Sequence, residues 1–301
     1  MVSSATDPPR RAPGGVPDWA APCRARPNLD ERGIEMKSIR VTGACMLVVM
    51  ALGGVSAASA SAAAPEFGRC VKKAESGGTG YSDSKCTKAV EGSTAKYEWL
   101  PGAVSGKNSF TLSGGAVTWA TKGGKTLTCT SANGSGEYSL TNPKREDAIS
   151  LEFQGCKTNG FGCTTTGRPS GDIVFNELAG EVGYENLEAK NTALKLEPGP
   201  TAGGKFIEFK CVGLEVKVRG KEALSGAGIL VPIKNDVMTS TTSLVYKQTK
   251  GVQKPVVWEG TPTETYLEQN YENLGWEQSG WTLTMSLKNA EEMEYELNLL
   301  V

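Results

Sequence analysis

Trp281-Thr282-Leu283-Thr284-Met285-Ser286-Leu287-Lys288 alternates apolar and polar side chains without a break. A period of two places Trp281, Leu283, Met285 and Leu287 on one face and the hydroxyl and lysine side chains on the other. That is the pattern of a half-buried antiparallel strand. The same period runs through Thr126–Thr130, Ala148–Phe153, Phe206–Cys211 and Leu214–Arg219. Between the runs lie Gly114-Gly115, Gly123-Gly124, Asn133-Gly134, Pro198-Gly199-Pro200, Gly203-Gly204 and Lys234-Asn235-Asp236. These read as turns, with Asn133-Gly134 as a tight hairpin. Helical spacing is confined to a short piece near Cys86–Val90. Closely spaced strands with polar turns predict an all-β fold, an antiparallel sandwich or barrel-like architecture with disulfides.

Upstream of this β-rich part the chain changes character. Residues 1–35 hold six of the fifteen prolines and no hydrophobic period, so they build no core. They are either a disordered leader or the product of an over-long gene start at a chain that begins with Met36. Residues 36–60 open with Met36-Lys37-Ser38-Ile39-Arg40, continue in the apolar run Ala44–Val55, and end in small residues with A-x-A sites. This is a secretory signal peptide, with cleavage expected after Ala57, Ala60 or Ala62. The apolar run is shorter than the roughly 20 residues a bilayer span needs. The expected product is secreted, either extracellular or loosely associated with the cell surface, with no membrane span after signal removal.

Export leaves Cys70, Cys86, Cys129, Cys156, Cys163 and Cys211, an even set that reads as disulfides. Spacing favours Cys70–Cys86 around a Gly/Ser-rich loop and Cys156–Cys163 around a turn-like tip, which leaves Cys129 with Cys211. Residues 65–235 read as a disulfide-containing β domain. Cysteines stop at Cys211 and aromatics gather later. Residues 236–301 are therefore a C-terminal β segment, either separate from the preceding domain or continuous with it.

Several phrases taken together carry a resemblance: Ala64–Lys72, Tyr81–Thr87, Tyr97–Gly102, Leu127–Cys129, Phe153–Cys156 and Gln253-Lys254-Pro255. The set resembles uncharacterised exported, cysteine-containing proteins of high-GC soil actinobacteria. The resemblance implies export and a disulfide-containing fold, and it carries no functional residues with it.

The 301 residues include 32 Lys and Arg against 33 Asp and Glu, and no histidine. Near-neutral charge argues against a nucleic-acid partner, which calls for a basic surplus. The missing imidazole excludes Ser-His-Asp and Cys-His nucleophilic sites and histidine-based zinc centres. Calcium-loop, Walker and dinucleotide-binding glycine patterns are absent, so no cofactor and no metal are expected. Ser82–Lys85 and Ser93–Lys96 match S-x-x-K but lack the companion motifs of serine acyl-transferases.

The chemistry left over is that of carboxylates and aromatic rings. Trp258, Tyr266, Tyr271 and Trp276, interspersed with Asn, Gln and Glu, form the candidate ligand-binding set, able to stack on sugar rings. No catalytic residue is assigned. These features predict an exported β-rich binding or structural protein whose partner is a polysaccharide, envelope component or other protein. The alternative is a carboxylate-dependent glycan hydrolase, for which Glu259, Glu264 and Glu268 are the nearest candidates.

Overall fold

The computed structural model describes residues 65–221, 228–233, 238–262, 266–290 and, for the backbone alone, 296–298. The leader 1–35, the signal segment 36–60, Lys234-Asn235-Asp236 and Glu264 lie outside the described residues.

Strand pairing organises nearly all of the described chain. The first four strands are β1 (Glu66–Lys72), β2 (Thr79–Tyr81), β3 (Ala89–Glu91) and β4 (Tyr97–Pro101). They form a small sheet of order β1-β4-β2-β3, stitched by the Cys70–Cys86 disulfide. The expected helical piece near Cys86–Val90 is absent: a single 3-10 turn, Gly92–Thr94, follows β3 instead.

From Ser109 the chain crosses back and forth eight times. The first crossing is β5 (Ser109–Gly114) and β6 (Val117–Thr121), and the second is β7 (Thr126–Cys129) and β8 (Ser131–Tyr138). The third is β9 (Arg145–Gln154) and β10 (Lys157–Thr158). The fourth is β11 (Phe161–Thr164), β12 (Ile173–Val174) and β13 (Leu178–Asn186). The fifth is β14 (Asn191–Pro198) and β15 (Lys205–Cys211), and the sixth is β16 (Leu214–Gly220) and β17 (Ile229–Pro232). The seventh starts with β18 (Thr241–Thr249). It then leaves the wall through β19 (Val252–Lys254), β20 (Val257–Trp258) and β21 (Thr261–Pro262) before resuming as β22 (Leu267–Tyr271). The eighth is one long strand, β23 (Trp276–Asn289), and β24 (Glu296–Asn298) then adds to the edge of β1.

Each crossing pairs antiparallel with the next, and the eighth returns to the first, closing an up-and-down barrel of two levels. The upper ring is β5-β8-β9-β13-β14-β17-β18-β23 and the lower ring is β6-β7-β10-β11-β15-β16-β22-β23. β23 serves both, since Met285–Asn289 pair with β5 while Ser279–Thr282 pair with β6. Residues 241–289 thus complete the same wall that residues 109–233 begin.

A barrel of eight strands is narrow enough to be filled by its own side chains. The alternation read from Trp281–Lys288 is borne out: Trp281 is fully buried, edge-on to Trp119 at 5.2 Å between ring centroids. Phe153, Phe175 and Tyr246 pack around it at 5.7, 5.4 and 5.8 Å. Burial of such rings dominates core energetics. The small sheet caps the upper mouth, where Phe67 packs on Tyr138 at 4.9 Å and its N–H donates to the Pro143 carbonyl.

Two of the pairs read as turns do not reverse the chain. Asn133-Gly134 is in the middle of β8, with Gly134 opposite both Leu112 and Leu151. A Cβ there would run into the Ser150 carbonyl, so the glycine serves close strand approach and not a reversal. Gly114-Gly115 marks a bulge: the partner register on β23 shifts by one residue between β5 and β6 while the chain continues in the same direction.

The disulfide pairing also needs correction. Lys157 opposite Thr128 sets Cys156 opposite Cys129, Lys157 opposite Gly162 sets Cys156 opposite Cys163, and Cys163 faces Cys211. All four cysteines therefore form one row across β7, β10, β11 and β15. The bonds are Cys129–Cys156 and Cys163–Cys211, with Cα atoms 3.9 and 4.3 Å apart. Pairing Cys156 with Cys163 would strand Cys129 and Cys211 three strand spacings apart, about 14 Å, beyond the reach of a disulfide. Only the expected Cys70–Cys86 bond is present.

Where the seventh crossing leaves the wall, β23 loses its partner on that side between Ser279 and Leu283. Gln253 of the excursion fills this gap. Its Oε1 accepts the Trp281 N–H at 2.9 Å and its Nε2 donates to the Lys247 carbonyl at 2.8 Å. A side chain thus replaces the missing ladder bonds, and Gln253 is fully buried in doing so.

Candidate binding surfaces

The four aromatic residues singled out in the sequence are distributed over the barrel. Tyr271 and Trp276 flank the turn between β22 and β23. Trp276 lies under the Arg219 guanidinium at 3.9 Å, and Arg219 is itself held by Glu268 at 3.2 Å. The Tyr271 hydroxyl accepts from Gln269 Nε2 at 2.7 Å, and burial, helped by the nearby Glu277, pushes its pKa up to about 12. Tyr266 stands beside Lys221, five residues from Tyr271 and hence roughly 16 Å along the strand. Trp258 covers Gly183 of β13, where any Cβ would collide with the indole. Asn270, not Tyr271, stands opposite Trp276, so the two rings that flank the turn lie on opposite faces of the wall. Tyr271 packs against the core, and Tyr266 and Trp258 lie apart from both.

Two of the candidate carboxylates have structural partners. Glu259 accepts the Tyr184 N–H at 2.8 Å and returns its own N–H to the Tyr184 carbonyl. Glu268 is the ion-pair partner of Arg219.

A recess that sequence reasoning missed lies on the small N-terminal sheet. It is an open groove of ≈ 720 Å³ lined by Thr79, Tyr81, Glu91, Glu98 and Trp99, among others. Register places Thr79 opposite Glu91 and Tyr81 opposite both Ala89 and Tyr97. Alternation then puts Tyr81, Glu91, Tyr97 and Trp99 on one face and Glu98 on the other. The Trp99 ring stacks tightly over Gly68, and its buried Nε1 has no hydrogen-bond partner among the described residues. The signal available in the sequence was the spacing of Tyr81, Tyr97 and Trp99 beside acids. The short strands that carry it lack a long alternating run.

A different surface forms at the lower mouth, where four hairpin tips converge: residues 121–126, 158–161, 211–214 and 271–276. Phe161, Val212, Leu214 and Leu274 are exposed there, Leu274 to 88 %. The Asn159-Gly160 and Val212-Gly213 turns share one shape, with positive φ at both central residues. Asn-Gly suits it, whereas a β-branched residue does not.

The upper lumen holds a buried carboxyl. Glu146, opposite Tyr138 and Gly180, is fully buried, and its Oε1 has no hydrogen-bond partner among the described residues. Burial, reinforced by Asp147, raises its pKa to about 8, so the carboxyl is neutral at pH 7. Among the described residues no cluster of His, Cys, Asp and Glu is arranged to hold a metal ion.

The fold and these surfaces define a disulfide-bonded, eight-crossing antiparallel barrel with one capped and one open end. No protein-family model matches the chain, and no curated protein or solved structure matches it either.

Proposed function

We propose that this chain is an exported binding protein of the cell surface or extracellular space, and that it recognises a polysaccharide or other envelope glycan through the groove on its N-terminal sheet. The observation that carries the reading is the groove itself: open, at a sheet edge, with Tyr81, Trp99 and Glu91 on one face. Flat rings offer stacking surface to sugar C–H faces, and Glu91 offers an acceptor to hydroxyls. Export is supported by the signal-peptide pattern of residues 36–60 together with three disulfides. Glu91 and Glu98 alternate to opposite faces, which favours binding over the hydrolase reading, since glycoside hydrolysis needs two carboxyls flanking one bond.

The test is to titrate the secreted chain against soluble and insoluble polysaccharides while monitoring release of reducing ends. Its N-terminus should begin at residue 58, 61 or 63. Tyr81→Ala and Glu91→Gln should each weaken glycan binding about tenfold, the loss of one good contact, without moving the melting temperature. Binding that neither variant changes would sink the groove assignment. Turnover abolished by Glu91→Gln would replace the binding protein with a hydrolase.

A further inference from the structure

Among the described residues, seven large apolar side chains are well exposed, and five of them (Phe161, Val212, Leu214, Leu274 and Trp276) belong to the hairpin tips of the lower mouth. Scattered exposed leucines need no explanation, but concentration at one end of a barrel does. Val212 adds an independent observation. It is β-branched, 58 % exposed, and held at φ 54, a conformation that costs a bulky residue free energy. Asn159 occupies the equivalent place two crossings earlier at φ 48. Folding stability alone would favour Asn at both turns, so an exposed valine at strained φ points to a use outside the fold.

We propose that the lower end docks peripherally on an anionic lipid bilayer. Phe161, Val212, Leu214 and Leu274 enter the boundary between headgroups and acyl chains, and Trp276 lies at headgroup level. Three features select this occupant. The apolar groups stand as separate pegs on three rigid tips and do not form one continuous patch, and a fluid apolar phase accepts pegs at any spacing. The tip backbones are largely closed on themselves, as in the Leu274 N–H to Tyr271 carbonyl bond of 2.8 Å, which lowers the cost of leaving water.

Charge is the third feature. Lys122, Lys157 and Lys210 stand just behind the pegs and make no ion pair among the described residues. The acids of this end are already engaged: Glu277 by Lys125 and the Gly123 N–H, Glu215 by Lys217, and Glu272 by the Glu215 N–H. The charge left to face outward is positive, complementary to anionic headgroups. The inference does not rest on the glycan reading, whose groove is on the sheet that caps the opposite mouth.

Co-sedimentation of the secreted chain with phosphatidylglycerol-containing vesicles, against pure phosphatidylcholine, tests it. Retention should require the anionic lipid and weaken with salt. Leu274→Ser should lower partitioning about tenfold and Lys122→Gln about fivefold. Val212→Asn separates docking from folding: it relieves the turn and should raise the melting temperature while still lowering vesicle binding. Failure to bind anionic vesicles overturns the proposal, as does binding that all three variants leave intact. Concentration-dependent self-association without vesicles, abolished by Val212→Asn, would instead assign the surface to a second copy of the chain.

Discussion

A carboxyl buried in the lumen couples the stability of this barrel to pH. Glu146 has a folded-state pKa of about 8 against an ordinary 4.5, because burial disfavours its charge. Between those values the folded state binds a proton that the unfolded state has lost, so stability falls as pH rises through the window. The loss is complete above about pH 8 and amounts to a few kcal/mol. Glu146→Gln keeps the shape and removes the titration. Denaturant midpoints measured from pH 5 to pH 9 should decline in the parent chain and much less in the variant. The variant should be the more stable protein at pH 9. Parallel curves would show that Glu146 ionises freely in the folded state.

At the scale of elements, small irregularities decide what faces inward. In β9, Ile149, Leu151 and Phe153 are buried, and strict alternation would continue that face to Asp147. The bulge at Ala148, at φ 51 and opposite the register shift between Ser135 and Glu137, turns Glu146 into the lumen instead. The cysteine row is the second such effect, because four strands in one register present four sulfurs side by side. Each of its two disulfides stabilises by about 4 kcal/mol in the loop-entropy treatment, less any strain. Removing the outer pair by Cys129→Ala with Cys211→Ala leaves Cys156 and Cys163 facing each other. Non-reducing peptide mapping of that double variant should find the Cys156–Cys163 bond, and the parent chain should yield Cys129–Cys156 and Cys163–Cys211. Two stable free thiols in the variant would contradict the row.

For the whole molecule, closure depends on the eighth crossing. β23 supplies partners to β5 and β18 above and to β6 and β22 below, and it carries Trp281 into the centre of the aromatic core. A chain ending after Tyr271 loses the seam of both rings at once. It should show no cooperative unfolding transition and no near-ultraviolet circular dichroism, whereas an intact upper or lower ring would preserve part of that signal. The consequence is that residues 241–289 cannot be removed as a dispensable tail, even though cysteines end at Cys211 and aromatics gather beyond it.

Strand content was legible because alternation is local: Trp281–Lys288 and Phe206–Cys211 announce a buried face with no knowledge of their neighbours. The tips at Gly123-Gly124 and Asn159-Gly160 were legible for the same reason, since left-handed turns need those residues. Asn133-Gly134 looked identical and was not a turn, because its glycine answers to the close approach of β9, which lies far along the chain. The aromatic candidates show the same division. One turn joins Tyr271 to Trp276, but register sends the two rings to opposite faces of the wall. Trp258 is drawn away to Gly183, and the groove of Tyr81 and Trp99 draws on three short strands. The amino-acid sequence by itself determined that this protein is all-β, cross-linked and free of imidazole chemistry, for these follow from side-chain type and period. Tertiary structure alone decided which cysteines pair, which glycines turn the chain, and which end of the barrel stays open. Those outcomes depend on the register between strands distant in sequence, and register is settled only when the eighth crossing meets the first.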